Sequence, residues 1–370
     1  MGVERIMNEV REPEVLVAEL TYRCNMHCWY CYNPHDLNEY PLQKELTTDE
    51  WRKVIREASK LGIIHIHITG GEPTIRQDLP DIVEEAKKCE LYVNLITNIT
   101  LYDRKYWEEL VKKGVDHIQV SFQAHTRELN DLIGEAHTYE KKLKVLSWLK
   151  ETGVFLTMNI VLHRWNIDYI EEIIQFVYNL RIARFEIAML QFGGWDWKNR
   201  LSLIPSKESV EKAYYIAKKY KEKLKGEMDI TMVALDIYEG RPKPCTYGWG
   251  NKYIVVNPVG EVLPCHGAKV IKTLTFENIR NRSLRDIWYN SESFNSFRGF
   301  EWMKEPCKTC PDREKDFGGC RCFTYLLTGI EDVTDPSCEL SPYRYLVDKL
   351  IQEAKDIYAQ PVKRGIIWLS

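Results

Sequence analysis

A chain of 370 residues with 51 Lys and Arg against 54 Asp and Glu carries a formal charge of -3, and with no long basic run it offers no electrostatic footprint for nucleic acid or an anionic lipid surface. No apolar stretch approaches the roughly 18 to 20 residues of a membrane span, Met1 to Glu14 is charged rather than signal-like, and Ile6 leaves the Met1-Gly2 start without a myristoylation motif, so a cytoplasmic chain is expected. The length suits one large barrel plus a smaller module, or two to three domains, and eleven cysteines with C-x-x-C clusters among them point to metal rather than to disulfides.

From Val15 to about Leu190, short β-rich runs alternate with amphipathic helical segments, the pattern of a βα repeat and a parallel sheet. Strands are predicted over residues 15–20, 63–69, 92–97, 117–122, 155–162 and 184–190. Thr48 reads as an N-cap with Trp51 in the first turn of its helix, and Leu61-Gly62 as that helix's end. A further helix is expected over residues 206–223, with Pro205 just before it. His65 and His67 lie two residues apart on the second strand without a third ligand, and so read as core-lining or face-lining. Cys89 alone falls outside the clustered cysteines and reads as a buried structural thiol in the helical pattern 81–90.

After about Asp236 the chain becomes rich in Cys, Gly and Pro with short strands such as 253–256. The turn Asn257-Pro258-Val259-Gly260 followed by Glu261-Val262 suggests a small hairpin. Residues 351–370 read as a short helix and a tail. The expected organisation is a core over 1–235, a second module over 236–345, and a C-terminal helix and tail over 346–370.

Three segments carry chemistry. Cys24-Asn25-Met26-His27-Cys28-Trp29-Tyr30-Cys31 follows the first strand with the spacing C-x3-C-x2-C. Three thiolates can hold three irons of a cubane 4Fe-4S cluster and leave the fourth open to a small molecule, whereas an electron-transfer ferredoxin ligates that iron too. A zinc knuckle, or cysteines scattered in a core, is the alternative on the residues alone. Gly70-Gly71-Glu72-Pro73 ends the second strand, where glycine lets backbone approach a ligand closely. Both segments occupy the C-terminal ends of strands, where barrels keep their chemistry. Thr97, Asn98, Ser121, Gln123, Asn159 and His163 lie at or near strand ends on alternating positions, so their polar groups can face a barrel interior. The third segment holds Cys245, Cys265, Cys307, Cys310, Cys320, Cys322 and Cys338. Two four-ligand clusters need eight donors, and these are seven. Phe192-Gly193-Gly194-Trp195-Asp196-Trp197, after the last strand of the repeat, reads as a substrate wall or as core packing.

The triplet Cys24, Cys28 and Cys31, with Tyr30 as the aromatic before its last cysteine and Gly70 to Pro73 one βα unit on, resembles the signature of the radical S-adenosylmethionine (SAM) superfamily. The resemblance implies a partial (β/α)6 TIM-like barrel and a 4Fe-4S cluster whose open iron is chelated by SAM. It implies that Tyr30, Gly70, Gly71, Glu72 and Pro73 bind cofactor, Glu72 helping by charge toward the methionine ammonium. Asn98, Ser121, Gln123 and Asn159 resemble the superfamily's ribose and carboxylate contacts.

The later cysteines resemble the SPASM extension of radical SAM peptide-modifying enzymes, with Asp316 where the pattern has a cysteine. Asp316 is thereby implied as the eighth ligand, a harder donor than thiolate that should alter a cluster's potential; His266 and a substrate group are the other candidates. With Cys322 as an extra cysteine, and with segments such as Arg241-Pro-Lys-Pro-Cys245, Leu263-Pro-Cys-His266 and Asp316-Phe-Gly-Gly-Cys-Arg-Cys322, the chain resembles the radical SAM enzymes of pyrroloquinoline quinone (PQQ) biosynthesis over nearly its whole length. That resemblance implies two auxiliary iron-sulfur clusters, of 4Fe-4S or 2Fe-2S type. One would lie on Cys307, Cys310, Asp316 and Cys338, the other on Cys245, Cys265, Cys320 and Cys322. A treble-clef-like zinc module is the rival use of the same cysteines.

The implied activity is reductive cleavage of SAM to methionine and a 5'-deoxyadenosyl radical. This radical takes hydrogen from a glutamate side chain of a ribosomally made precursor peptide, and the carbon radical cross-links to a tyrosine ring. An external electron donor such as flavodoxin is implied, and so is a separate small peptide chaperone, since a first strand at about Val15 leaves no room before it for a further domain. Two other functions remain open: a SPASM maturase acting on a different peptide or protein residue, as in mycofactocin, thioether-peptide or sulfatase maturation, and an iron-sulfur carrier or sensor without catalysis.

Overall fold

In the computed structural model the described residues are 10–363 apart from 35, 234 and 358; the Met1-Gly2 start, Ile6 and the end of the expected tail, 364–370, lie outside them. The alternation of apolar runs becomes nine strands: β1 (Val15–Glu19), β2 (His65–Thr69), β3 (Tyr92–Thr97), β4 (His117–Phe122), β5 (Phe155–Leu162), β6 (Arg184–Met189), β7 (Asp229–Met232), β8 (Tyr253–Val256) and β9 (Val262–Leu263). The fold is mixed α/β with a parallel sheet. Strands β3, β4 and β5 have the predicted bounds, while the short β7 has too few apolar residues to be read from sequence. Among the described residues no helix is long and apolar enough to cross a membrane.

The chain forms two compact units, each built from separate stretches: Met1–Tyr22, Asp36–Val93 and Asp236–Lys349 make the first, and Arg23–His35, Asn94–Leu235 and Leu350–Ser370 the second.

In the first unit β1 pairs in parallel with β2, from Val15 opposite His65 to Glu19 opposite Thr69, and with β8, from Val15 opposite Tyr253. Flanked on both edges, β1 is apolar almost throughout, as a strand buried on both faces must be. The predicted hairpin forms, with β9 antiparallel to β8 and Val256 opposite Val262. Asn257 makes its turn, its Oδ1 accepting from the backbone N–H of Val259 (3.2 Å) and Glu261 (2.9 Å). The helix Thr48–Lys60 buries Trp51, Val54, Ile55 and Ala58 at helical spacing. Its N-cap is Thr47, one residue before the expected Thr48. Glu50 decides this: three residues after Thr47, it completes a reciprocal capping box, its backbone N–H donating to Thr47 Oγ1 and its Oε2 accepting from Thr47 N–H at 2.8 Å. Cys89 is only half-buried, at the C-terminal end of the helix Leu79–Lys88, so the expectation of a buried thiol is corrected. His65 and His67 are likewise half-buried on β2, and burial lowers His67 to about 4, which keeps it neutral near pH 7.

In the second unit β3, β4, β5, β6 and β7 pair in that order, all in parallel. Ile118, Val120 and Phe122 of β4 are fully buried, while Gln119 and Ser121 between them are half-buried, so one face of the sheet packs on helices and the other is polar. Trp107, Leu110, Val145, Leu149, Ile173 and Val177, from the helices Arg104–Lys113, Tyr139–Thr152 and Ile170–Asn179, are buried. At about 1.5–3 kcal/mol for each fully buried large apolar side chain, such packing dominates the stability of these elements. The C-terminal helix spans Arg344–Asp356, starting seven residues before the expected 351.

Candidate functional site

The loop Cys24 to Cys31 belongs to the second unit, and its neighbours fix it by backbone as much as by side chain. The helix Arg127–Gly134 leaves its last carbonyls without helical partners. His27 N–H donates to Gly134 O (3.0 Å) and Trp29 N–H to Ile133 O (3.3 Å). Trp29, buried, also donates its indole N–H to Glu135 Oε1 at 2.9 Å.

Donors converge on the sulfurs themselves. Met26 N–H lies 3.4 Å and Asn98 Nδ2 3.8 Å from Cys24 Sγ. Asn98 Nδ2 also donates to Asn25 Oδ1 (2.9 Å), and Asn25 to Thr100 Oγ1 (2.7 Å), so Asn98 braces the loop. The Tyr30 hydroxyl is held well above its ordinary range, by burial first and then by Cys28, whose sulfur it faces as donor. Gln123 Nε2 donates to the same hydroxyl at 3.3 Å.

Lys142 sets the orientation of Gln123. This fully buried lysine donates to Gln123 Oε1 (2.6 Å) and to Ser121 O (2.8 Å), which leaves the amide nitrogen to face Tyr30. Gln123 N–H is taken by Asn130 Oδ1 at 3.1 Å and its carbonyl by Asn166 Nδ2 at 3.0 Å. Sequence reasoning missed Lys142 because its neighbours Lys141 and Lys144 suggest a solvated charge run. The signal was there, since residues 142, 145, 146 and 149 form the helix's buried stripe and Lys142 is its first member.

On the polar face of the sheet, Ser121 of β4 stands opposite Asn159 of β5, which stands opposite Glu186 of β6. Register brings the two predicted residues side by side and adds Glu186, which sequence reasoning passed over inside an apolar strand. Burial raises the Glu186 carboxyl, and Arg184 opposes that. His163, fully buried, packs its ring 5.5 Å from that of Tyr30, and burial lowers it to about 3.

The segment Phe192 to Trp197 is neither a bare wall nor simple core. It opens the helix Gly194–Leu203, and that helix clamps the cysteine loop. Trp195 N–H and Asp196 N–H both donate to Cys31 O, at 2.9 and 3.1 Å, and Asn199 Nδ2 donates to Trp29 O at 3.0 Å. Gly194 has φ +51° and passes so close to the loop that a Cβ there would sit 1.9 Å from Asn33 O. The two glycines were the signal for this close approach.

In the first unit, Gly70 to Pro73 leaves β2 against the chain that follows β1. Gly71 N–H donates to Thr21 O at 2.5 Å, and a Cβ at Gly70 would meet that same oxygen at 2.3 Å. Glu72 is buried and caps the turn that begins at Pro73, its Oε1 accepting from Thr74 N–H (3.1 Å) and Thr74 Oγ1 (2.6 Å).

The first unit also gathers the later donors into two groups. Cys307, Cys310, Asp316 and Cys338 line one pocket together with Thr334 and Asp335. Cys307 Sγ is 3.4 Å from Thr334 Oγ1, and Asp316 Oδ1 accepts from Gly318 N–H at 2.9 Å. Burial raises the Cys307 and Cys338 thiols and the Asp316 carboxyl. In the other group Cys245 neighbours Cys265 and Cys320, and Cys322 neighbours the same two, which closes a ring of four. Cys265, accepting from Cys245 and Cys322, is held low, whereas its hydrogen bond to Cys265 pushes Cys245 up to about 12. Cys320 caps the helix Arg321–Thr328, Phe323 N–H facing its sulfur at 3.5 Å, while its hydrogen bond with Cys245 raises its thiol overall. Burial lowers the His266 pKa, opposed by the charges of Glu19 and Cys320, and His266 is not among the residues that line the pocket of Asp316. Asp335 touches both groups: it lines the first pocket, and its Oδ2 accepts from Cys320 N–H at 2.7 Å.

These donor sets fit iron-sulfur clusters. The sulfurs of the first loop accept hydrogen bonds from backbone, amide and hydroxyl, the outer partners that tune a cluster.

Comparison with known proteins agrees with the chemistry. The family model of the radical SAM superfamily matches residues 18–177, and that of the SPASM iron-sulfur cluster-binding domain matches 245–311. The chain is 44% identical over 339 residues to the PqqA peptide cyclase of Bradyrhizobium diazoefficiens, covering 91% of this chain and 89% of that protein. It is 41% identical over 361 residues to the PqqA peptide cyclase of Granulibacter bethesdensis, covering 97% and 96%. The structure of Streptococcus suis SuiB bound to S-adenosylmethionine superposes with a TM-score of 0.75 over 91% of this chain and 80% of SuiB, at 19% identity, a likeness of fold. The chain is therefore an enzyme of the radical SAM superfamily with a SPASM domain, and belongs within it to the PqqA peptide cyclase family.

Proposed function

We propose that this enzyme joins a glutamate side chain to a tyrosine ring by a carbon–carbon bond within the ribosomally made precursor peptide of PQQ. The observation that carries the reading is the similarity to PqqA peptide cyclases along 91% and 97% of the chain. In this reading Cys24, Cys28 and Cys31 hold a 4Fe-4S cluster with one open iron. Tyr30, Gly70, Gly71, Glu72, Pro73, Asn98, Ser121, Gln123 and Asn159 serve SAM, and the two later quartets hold auxiliary clusters of 4Fe-4S or 2Fe-2S type. Bound together, cluster and SAM supply a 5'-deoxyadenosyl radical.

The chain's own part is to position and to enclose. Met26, Asn98 and Tyr30 donate to the thiolates, Lys142 fixes the amide of Gln123, and the helix Gly194–Leu203 holds the carbonyl of Cys31. Joining the two side chains removes two hydrogens from the peptide. One leaves as an atom and ends in 5'-deoxyadenosine; the other leaves as a proton, with one electron that the auxiliary clusters would accept. The peptide is delivered by a separate small chaperone, and the initiating electron comes from an external donor such as flavodoxin.

The test is anaerobic incubation of the reconstituted chain with reductant, SAM and a peptide bearing Glu-x-x-x-Tyr, followed by mass spectrometry. The expected product is 5'-deoxyadenosine together with a peptide lighter by two hydrogens whose fragments place the link between Glu and Tyr. Formation of 5'-deoxyadenosine in the presence of the chaperone with the peptide mass unchanged would refute the cross-linking reading.

A further inference from the structure

Arg321 lies between Cys320 and Cys322 in sequence, in the first turn of the helix Arg321–Thr328, and is 1% exposed. Its Nη1 donates to the carbonyls of Glu331 (3.0 Å) and Val333 (2.6 Å), and its Nη2 to the carbonyl of Gly318. The guanidinium stands over the Trp302 ring, 4.7 Å from its centroid, and its Nε is buried without a partner.

All of these contacts are neutral. Among the described residues no carboxylate forms an ion pair with Arg321. A buried cation without a counter-charge is strongly unfavourable, so a negative charge belongs nearby. Its backbone lies between Cys320 and Cys322 of one quartet. Its guanidinium holds the carbonyl of Gly318, which lines the pocket of the other quartet, and that of Val333, next to Thr334, whose hydroxyl is 3.4 Å from Cys307 Sγ. One fixed charge is therefore held beside both donor sets.

We propose that Arg321 is the shared counter-charge of the two auxiliary clusters and holds both reduction potentials up, so that each can accept the electron released when the peptide is cross-linked. The inference rests on the reading that the two quartets hold clusters. Reduction adds one electron to a cluster as one ferric iron becomes ferrous, with no bond made or broken, and a nearby fixed cation stabilises the more negative product.

The test uses the full chain with Cys24, Cys28 and Cys31 replaced by Ala, so that iron and paramagnetic signals report the auxiliary clusters alone. Arg321→Met and Arg321→Lys are reconstituted in that background, assayed for iron, and titrated against potential by electron paramagnetic resonance. Arg321→Met is expected to keep its iron while the reduced-to-oxidised ratio of both clusters falls at least about tenfold at fixed potential, 59 mV for a one-electron couple. Arg321→Lys, which keeps the charge, should titrate close to the parent. Loss of iron from Arg321→Met with retention in Arg321→Lys also supports the proposal, because the charge is then what the clusters require. Unmoved midpoints in an iron-replete Arg321→Met, a shift in one cluster only, or equal loss of iron from both variants would each overturn it. A parent without auxiliary iron would instead remove the reading of the quartets themselves.

Discussion

Replacing Gly194 by Ala should disable the cysteine loop from outside it. A Cβ on Gly194 would lie 1.9 Å from Asn33 O and 2.5 Å from Tyr32 O, and both obstacles are backbone. Restoring an ordinary contact requires loop and helix to part by about 1.5 Å, against the pair of hydrogen bonds that Trp195 and Asp196 make to Cys31 O. The left-handed φ of +51° adds roughly 1–2 kcal/mol for any residue with a Cβ, and overpacking adds about 1–3 kcal/mol. The expected loss of stability is therefore about 2–5 kcal/mol. A displacement near 1 Å at a catalytic centre costs on the order of 100-fold in rate, and 5'-deoxyadenosine formation should fall by about that factor. Gly193→Ala is the internal control. Its φ is -161°, extended backbone that any residue adopts, and its Cβ would lie 3.6 Å from Tyr32 O, an ordinary contact. It should lose no more than about 1 kcal/mol, because Ala is a poorer N-cap than Gly. The measurements are denaturant midpoint, iron per chain, and 5'-deoxyadenosine made under reduction with SAM. A Gly194→Ala enzyme that holds full iron and cleaves SAM at the parental rate would refute the claim that this helix positions the loop.

Three further outcomes are expected. Asp196 is buried, its Oδ2 accepting from Gln191 N–H and Phe192 N–H while its Oδ1 has no partner, and burial raises its carboxyl to about 7. The folded chain then holds this proton more tightly than the unfolded one, so the stability it contributes is full below about pH 4 and is lost as pH rises through about 7, by at most ~4 kcal/mol. Asp196→Asn should flatten the pH dependence of the denaturant midpoint and be the more stable protein at pH 8; parallel pH curves would count against the assignment. Lys142→Met should lose about 1–3 kcal/mol in the same unfolding assay, since Gln123 Oε1 and Ser121 O are left buried without their donor, and a neutral outcome would remove Lys142 from the support of Tyr30. Asp316→Ala should alter the spectrum of one auxiliary cluster and spare the other, and Asp316→Cys should keep its iron at a lower potential because thiolate is the stronger donor to iron; a change in both clusters or in neither would contradict the grouping.

Sequence displayed the second unit's sheet well because β3, β4 and β5 are apolar runs bounded by turns, and their register follows from their pattern. The β8 to β9 hairpin was equally legible from Asn257 and Gly260. The parallel pairing of β8 with β1 was hidden, because it joins residues more than two hundred positions apart and nothing local encodes it. The helix Gly194–Leu203 was hidden for the opposite reason: Gly193 and Gly194 announce a turn, and here the turn is needed to bring the helix onto the cysteine loop. Lys142 and Glu186 were missed because their charge suggested solvent, whereas the register of their own elements puts Lys142 in a buried stripe and Glu186 beside Asn159 on the polar face of the sheet.

The grouping of the later donors is where spacing fails and backbone conformation succeeds. Asp316 precedes Cys320 by only four residues, yet it lines a pocket with Cys307, Cys310 and Cys338, while Cys320 joins the ring of Cys245, Cys265 and Cys322. Between them Phe317, Gly318 and Gly319 all have positive φ, at 52°, 74° and 78°, and this left-handed run turns the chain from one donor set to the other. A Cβ on Gly319 would lie 2.4 Å from Asp335 Oδ2, the oxygen that accepts from Cys320 N–H. The same glycine thus permits the turn and lets Asp335 reach the second group while lining the first. Arg321 follows directly and closes the turn from the other side through the carbonyl of Gly318. Six consecutive residues from Asp316 to Arg321 therefore supply a donor to each set, the partition between the sets, and a charge within reach of both. A change in the turn itself, at Gly318 or Gly319, should therefore disturb both donor sets, whereas a change confined to the Asp316 carboxyl disturbs one.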